Sequence, residues 1–160
     1  MLNGPRARRA SESATEMVEV VLPNDANPMG FMLGGNVMRL VDLAGAVAAI
    51  RHAHSPMVTA VVDELEFLYP VRVGDFIVLK SKVTCAFNTS LEVEVLVYSE
   101  AALSGERRLT SRAYLTFVTL EQDGVRARVP PLVVDNDEGR NLEAAARARH
   151  AKHLARRKHA

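Results

Sequence analysis

Apolar and polar positions change rhythm three times along the chain. Residues 1–14 show no period, and MLNGPRARRASESATEM has basic residues with no apolar core behind them. That stretch predicts a disordered leader over 1–14 and no secretory signal. Met17 to Val21 alternates briefly as a first strand and stops at Leu22-Pro23. Asn24-Asp25-Ala26-Asn27-Pro28-Met29-Gly30 is dense in turn formers and reads as a loop. From Gly35 to about His52, apolar residues surround nearly the whole circumference, which marks a helix buried on most sides. Small residues at 44–46 and 48–49 let other backbone approach it closely, and Ser55-Pro56 ends it.

Beyond Pro56 and as far as Leu120 the chain is almost all strand. Val58 to Tyr69, Asp75 to Phe87, Leu91 to Ser99 and Arg107 to Leu120 are rich in Val, Thr, Leu, Phe and Tyr. Leu91-Glu92-Val93-Glu94-Val95 alternates cleanly, so one face of that strand is expected to be wet. Long strands joined by short turns imply an antiparallel sheet. One strand, one buried helix and a four-strand meander give an α+β class, with the sheet curled around the helix. Pro130-Pro131 closes the strand region, and Asn141 to Lys158 reads as an exposed, Ala-rich, basic helix. The expected organisation is a leader over 1–14, one domain over 15–135 and a basic helical extension over 136–160.

Composition adds limits. At 160 residues the chain is sized for one domain, and 48% hydrophobic with 24% charged residues is ordinary for a soluble globular protein. No apolar run approaches the roughly 20 residues of a membrane span. One cysteine, Cys85, forms no internal disulfide and builds no zinc site, so the expectation is a cytoplasmic protein with no metal. The net charge of +1 conceals a split: residues 11–139 carry −8, the first ten +3, and residues 140–160 carry +6. A basic tail of this kind suits a solvated helix, nucleic acid, an anionic membrane surface or the phosphates of a ligand. With no aromatic residue and no wide apolar face in it, the expectation is neither nucleic-acid binding nor membrane insertion.

Two features carry candidate chemistry. Asp42 stands in the middle of the apolar helix, where burying an unpaired carboxylate costs several kcal/mol. It faces solvent, caps a neighbouring strand, or serves as a base whose pKa burial has raised. Before it, Asn27-Pro28-Met29-Gly30-Phe31-Met32-Leu33-Gly34-Gly35 runs into the helix start. Free backbone N–H groups there, with Gly34 and Gly35 allowing close approach, suit a carbonyl oxygen or oxyanion. A Gly-Gly pair is also simply a tight turn.

Together these segments resemble a known family. Asn24-Asp25-Ala26-Asn27-Pro28-Met29-Gly30, then Leu33-Gly34-Gly35, Met38 and Val41-Asp42, are similar to the active-site segment of hotdog-fold acyl-CoA thioesterases. The nearest branch holds the brain-type acyl-CoA hydrolases and their small bacterial relatives. Ala49-Ile50-Arg51-His52, Val58-Thr59-Ala60, Phe67 to Asp75 and Thr89 to Val95 fit that branch in order, over about residues 16–158.

The resemblance implies a hotdog fold, an antiparallel sheet wrapped around a long central helix. It implies hydrolysis of acyl-CoA to free acid and CoA with no other cofactor. Asp42 would be base or nucleophile, Asn27 would orient water or substrate across a subunit interface, and the N–H groups near Gly34 and Gly35 would polarise the carbonyl. Asn88, Thr89 and Ser90 would touch CoA, beside the plainer reading of a polar hairpin turn. It further implies a homo-oligomer, a dimer of hotdogs and a trimer of such dimers. Leu43, where an acidic residue is usual, Leu33 and Phe31 depart from the pattern along the acyl or pantetheine passage. The other readings are an acyl-CoA-binding hotdog protein without turnover, and a hotdog dehydratase or hydratase.

Overall fold

Four long stretches rich in β-branched and aromatic residues form the strands they predict, and each is joined to the next by a short turn or loop. The computed structural model describes residues 4–160. β1 (Arg8–Arg9) and β2 (Thr15–Val20) precede α1 (Gly34–Ala53). β3 (Met57–Phe67), β4 (Phe76–Ala86), β5 (Ser90–Glu100) and β6 (Arg107–Thr119) come next. A small hairpin, β7 (Glu121–Gln122) and β8 (Val125–Arg126), leads to β9 (Leu132–Val133) and α2 (Asp137–Lys158). The main sheet is antiparallel with order β2-β4-β5-β6-β3, which leaves β2 and β3 as its edges.

The core lies between that sheet and α1. Ile77, Leu79 and Val83 of β4, Leu91, Val93, Val95 and Val97 of β5, and Leu115 and Phe117 of β6 point inward. They meet Val37, Leu40, Val41, Ala44, Ala48 and Ala49 of the helix. The small residues act as expected. A Cβ on Gly45 would stand 3.1 Å from the Phe117 ring, so the helix touches the sheet there through bare backbone. Ser81 Oγ donates to the Ala44 carbonyl at 2.8 Å beside it.

Three expectations need correction. α1 is not buried on most sides: Met38, Arg39, Asp42, Leu43 and Ile50 are exposed along one face. An all-apolar circumference signals a buried helix only when one chain supplies all the neighbours. The expected disordered leader falls partly outside the described residues (1–3), and residues 8–14 are ordered. β1 pairs in parallel with β9, a short turn of 3-10 helix spans Ala10–Glu12, and Arg51 Nη1 donates to Thr15 Oγ1. Local polarity hid a segment fixed by distant partners. Glu92 and Glu94 do not face water either. They are 3% and 7% exposed, Glu92 beneath Arg149 of α2 and Glu94 against Tyr114, whose hydroxyl donates to its carboxylate.

α2 itself is more than a solvated helix. Arg149, 8% exposed, donates two hydrogen bonds to the Glu92 carboxylate, both 2.8 Å, and its guanidinium lies 3.7 Å from the Tyr114 ring centroid. His153 Nε2 meets Asp63 Oδ2 at 2.5 Å, and His150 stacks on Phe87. Asn136 caps the helix, its side chain accepting from Gly139 N. Among the described residues no helix is long and apolar enough to cross a membrane.

At the other end of α1, His52 is fully buried. Its Nε2–H donates to the Pro130 carbonyl at 2.8 Å, while Nδ1 is buried without a partner among the described residues. Burial holds its pKa below the ordinary 6.5, against the opposing pull of the Pro130 bond. Protonation would place a charge and an unsatisfied N–H in the core. The unfolded chain therefore takes up this proton first as pH falls. Stability is full above about pH 6.5 and is lost between there and the lowered folded value, at up to about 1.4 kcal/mol per pH unit. Thermal melts from pH 7.5 to 5 should show that slope in the wild type and a reduced one in His52→Leu. His150, shifted the same way by burial, leaves a remainder.

Candidate active site

The loop before α1 is built to present donors. Asn27 Oδ1 accepts from the backbone N–H of Met29 at 3.0 Å and of Phe31 at 3.1 Å, while Asn27 N donates to the Phe31 carbonyl. Those two donors fix the amide the right way round, so the side-chain oxygen is spent inside the loop and the NH2 group is left to act outward. Asn27 can therefore donate to a carbonyl or a water but not accept from one. Met32 N bonds the Val71 carbonyl and Val73 N the Gly30 carbonyl, which ties the loop to the chain between β3 and β4.

Leu33 N-caps the helix without a side-chain bond. Asn36 N and Val37 N both reach the Leu33 carbonyl, and the N–H groups of Gly34 and Gly35 make no bond among the described residues. A Cβ on Gly35 would meet nothing within 4 Å, and one on Gly34 would touch only the Phe67 ring. Two unbonded N–H groups thus stand at the positive end of a 20-residue helix. Gly34 lines a cleft of about 280 Å³ together with Asn27, Phe31, Val37, Phe67 and Tyr69. That places it at the small end of small-molecule sites.

Asp42 sits on the exposed face of α1, not in the buried setting that would make it a base by desolvation. It is held all the same. Thr59 Oγ1 donates to Asp42 Oδ1 at 2.5 Å, the short contact expected of a hydroxyl on a carboxylate. One carboxylate oxygen is fixed, and the other makes no bond among the described residues. Sequence reasoning gave Thr59 no role. The signal was a β-branched hydroxyl opening the strand beside the helix, which a strand former explains equally well.

The sequence-derived residues do not all meet within one chain. Asp42 lies eight residues along the helix from Gly34, about 12 Å of rise. Asn88 and Thr89 lie in the β4–β5 turn and Ser90 opens β5, and the Asn88 and Thr89 carbonyls accept from Val129 N and Thr119 N. Val129 adjoins Pro130, which holds His52 at the C-terminal end of α1. The turn therefore lies roughly a helix length, ~30 Å, from Asn27 and Gly34. Cys85 is buried, and burial pushes its thiol up to about 11, which makes it unreactive.

The thioesterase superfamily model matches residues 29–105. The chain is 34% identical, over 97% of its length and 90% of the other's, to an uncharacterized acyl-CoA thioester hydrolase of Bacillus subtilis. It is 31% identical over 96% of its length to the human cytosolic acyl coenzyme A thioester hydrolase, of which it spans only 41%. Among solved structures, a hexameric acyl-CoA thioesterase is similar at TM-score 0.87 and 35% identity, with 94% of this chain and 97% of that one covered. An acyl-CoA hydrolase of Staphylococcus aureus, in complex with butyryl-CoA, CoA and CoA disulfide, matches at TM-score 0.86 and 31% identity, covering 96% and 93%. That hydrolase has also been solved with one Asn, one Asp or one Thr replaced by Ala. Those three positions are spaced 15 and 17 residues apart, as are Asn27, Asp42 and Thr59.

Proposed function

The chain belongs to the thioesterase superfamily, and from that premise we propose that it hydrolyses acyl-CoA at a site shared between two copies. The observation that carries this reading is a carboxylate held by Thr59 on a bare helix face, about 12 Å from two unbonded N–H groups at the same helix's start. Donors to a reacting carbonyl oxygen must stand ~3 Å from it, so one chain cannot use both on one thioester. A second copy running antiparallel brings its Gly34–Gly35 end to the first copy's Asp42.

The surface supports such pairing. Met38, Leu43 and Ile50 on α1 and Val58 and Val62 on β3 expose apolar side chains, and β3 is a sheet edge that among the described residues pairs with β6 alone. The same pairing brings the β4–β5 turn of one copy toward the cleft of the other, where the separation in a single chain leaves it idle. The hexameric assembly of one structural relative supports a trimer of these dimers. The spacing shared with the Staphylococcus aureus variants supports roles for Asn27, Asp42 and Thr59.

In this mechanism the Asp42 oxygen left free by Thr59 takes a proton from water as the water oxygen attacks the thioester carbon. The Gly34 and Gly35 N–H groups and the Asn27 amide receive the charge on the carbonyl oxygen. The C–S bond then breaks, CoA leaves with the proton from Asp42, and the free acid remains. The scheme calls on no group beyond the CoA of the substrate, and it fits a cytosolic location. A dehydratase would want a histidine at the site. His52 and His54 lie at the far end of α1, with His52 committed to Pro130.

Release of CoA thiol from acyl-CoAs of graded length tests the activity, and mixing two inactive variants tests the sharing. Asp42→Asn and Asn27→Ala copies, dissociated and reassembled together, should recover about a quarter of wild-type turnover, since half the dimers regain one intact site. A mixture no more active than its components would place both residues in one chain's site. A wild type that cleaves no acyl-CoA would remove the activity itself.

A further inference from the structure

Two arginines stand over the aromatic rings of the cleft, and neither has an acidic partner. The Arg72 guanidinium lies 5.9 Å from the Phe31 ring centroid, and that of Arg108 lies 3.3 Å from the Tyr69 ring centroid. Phe31 and Tyr69 both line the cleft that holds Asn27 and Gly34. Arg72 is further fixed by its backbone, which bridges to Phe31, and Arg108 precedes by two residues the Thr110 carbonyl that accepts from Leu68 N and Tyr69 N.

Several other basic residues are committed to carboxylates, and what sets Arg72 and Arg108 apart from the remaining unpaired ones is their place over the rings of the cleft. Arg107, Arg140, Arg147, Arg149 and Lys82 each meet a carboxylate. Among the described residues Arg72 and Arg108 have no ion pair and no side-chain hydrogen bond, although residues 11–139 carry a net −8. A guanidinium laid on a ring keeps its in-plane N–H donors free while its position is fixed. Such a fork is matched to the oxygens of a phosphate, bidentate and charge-assisted.

We propose that Arg72 and Arg108 receive the phosphates of the CoA portion of the substrate at the rim of the cleft. This rests on the acyl-CoA reading and supplies what that reading lacks, the groups that distinguish a CoA thioester from any other thioester. The helix start and Asn27 take the carbonyl, the aromatic lining of Phe67 and Tyr69 takes the uncharged pantetheine arm, and the two rim guanidiniums take the anionic end. The basic end of α2 is then not needed for substrate capture.

The test compares one acyl group carried on CoA and on N-acetylcysteamine, which has the thioester and no phosphate. Arg72→Met and Arg108→Met keep an apolar stem against each ring and remove the charge. In each, the ratio of kcat/KM for the CoA thioester to that for the truncated thioester should fall roughly 10- to 100-fold, the worth of a charge-assisted bond. The change should lie in KM, and lysine at either position should restore part of it. Free 3′,5′-ADP should compete with acyl-CoA in the wild type and weakly in the double variant. Calorimetry with free CoA reads the same loss without turnover, so an inactive wild type would overturn the thioesterase reading while still deciding this one. An unchanged ratio with unchanged CoA binding would overturn the proposal.

Discussion

Asp42→Asn should fold and assemble as the wild type does and lose ~10²–10⁴-fold in turnover, the usual worth of a positioned acid–base group. The asparagine side chain has nearly the same shape, and its amide oxygen can still accept from Thr59 Oγ1, which reaches Asp42 at 2.5 Å. What it cannot do is take a proton. If Asp42 served only to satisfy Thr59, asparagine would leave turnover intact, and Asp42→Ala would reveal its role as a drop in melting temperature. Measuring kcat and melting temperature for both variants separates these outcomes. Near wild-type kcat in Asp42→Asn would end the mechanism.

The largest effect on stability should come from the pair beneath α2. Glu92 and Arg149 are 3% and 8% exposed, joined by two bonds of 2.8 Å, with Thr84 Oγ1 donating to the same carboxylate at 2.7 Å. Removing one partner leaves a buried charge without its counterpart, which costs about 3–5 kcal/mol. For a chain of this size each kcal/mol lowers the melting temperature by about 2–4 °C. Arg149→Leu and Glu92→Leu should therefore each melt far below the wild type, while the double replacement recovers most of the loss because neither charge is stranded. Melting curves of the three variants check this, and additive losses in the double variant would contradict it. The pair fixes how α2 sits on the sheet rather than adding net stability.

These residues also show where the sequence could be read and where it could not. The helix and four long strands were legible because their periods persist for eleven residues or more. Glu92 and Glu94 misled, since alternation marks which face a residue is on and says nothing of what later covers that face. α2 begins more than 40 residues further on. Asp42 was visible as an anomaly against an apolar background, but its holder Thr59 looked like any strand residue. Asn27 stood in a loop singled out from the residues and took its role from resemblance, and the two backbone donors on its oxygen limit it to donating. Residues 8–14 misled for the reason Glu92 did, their order being set by β9 far along the chain.

Under the proposed sharing of the site, the open edge of β3 and the bare stripe on α1 would make catalytic competence a matter of mass action. A lone copy would carry every proposed reacting group, yet hold the carboxylate and the oxyanion donors too far apart to use. Below the concentration at which copies pair, specific activity should then fall with protein level instead of staying constant. Association would act as a threshold on thioester hydrolysis, set by the amount of protein alone.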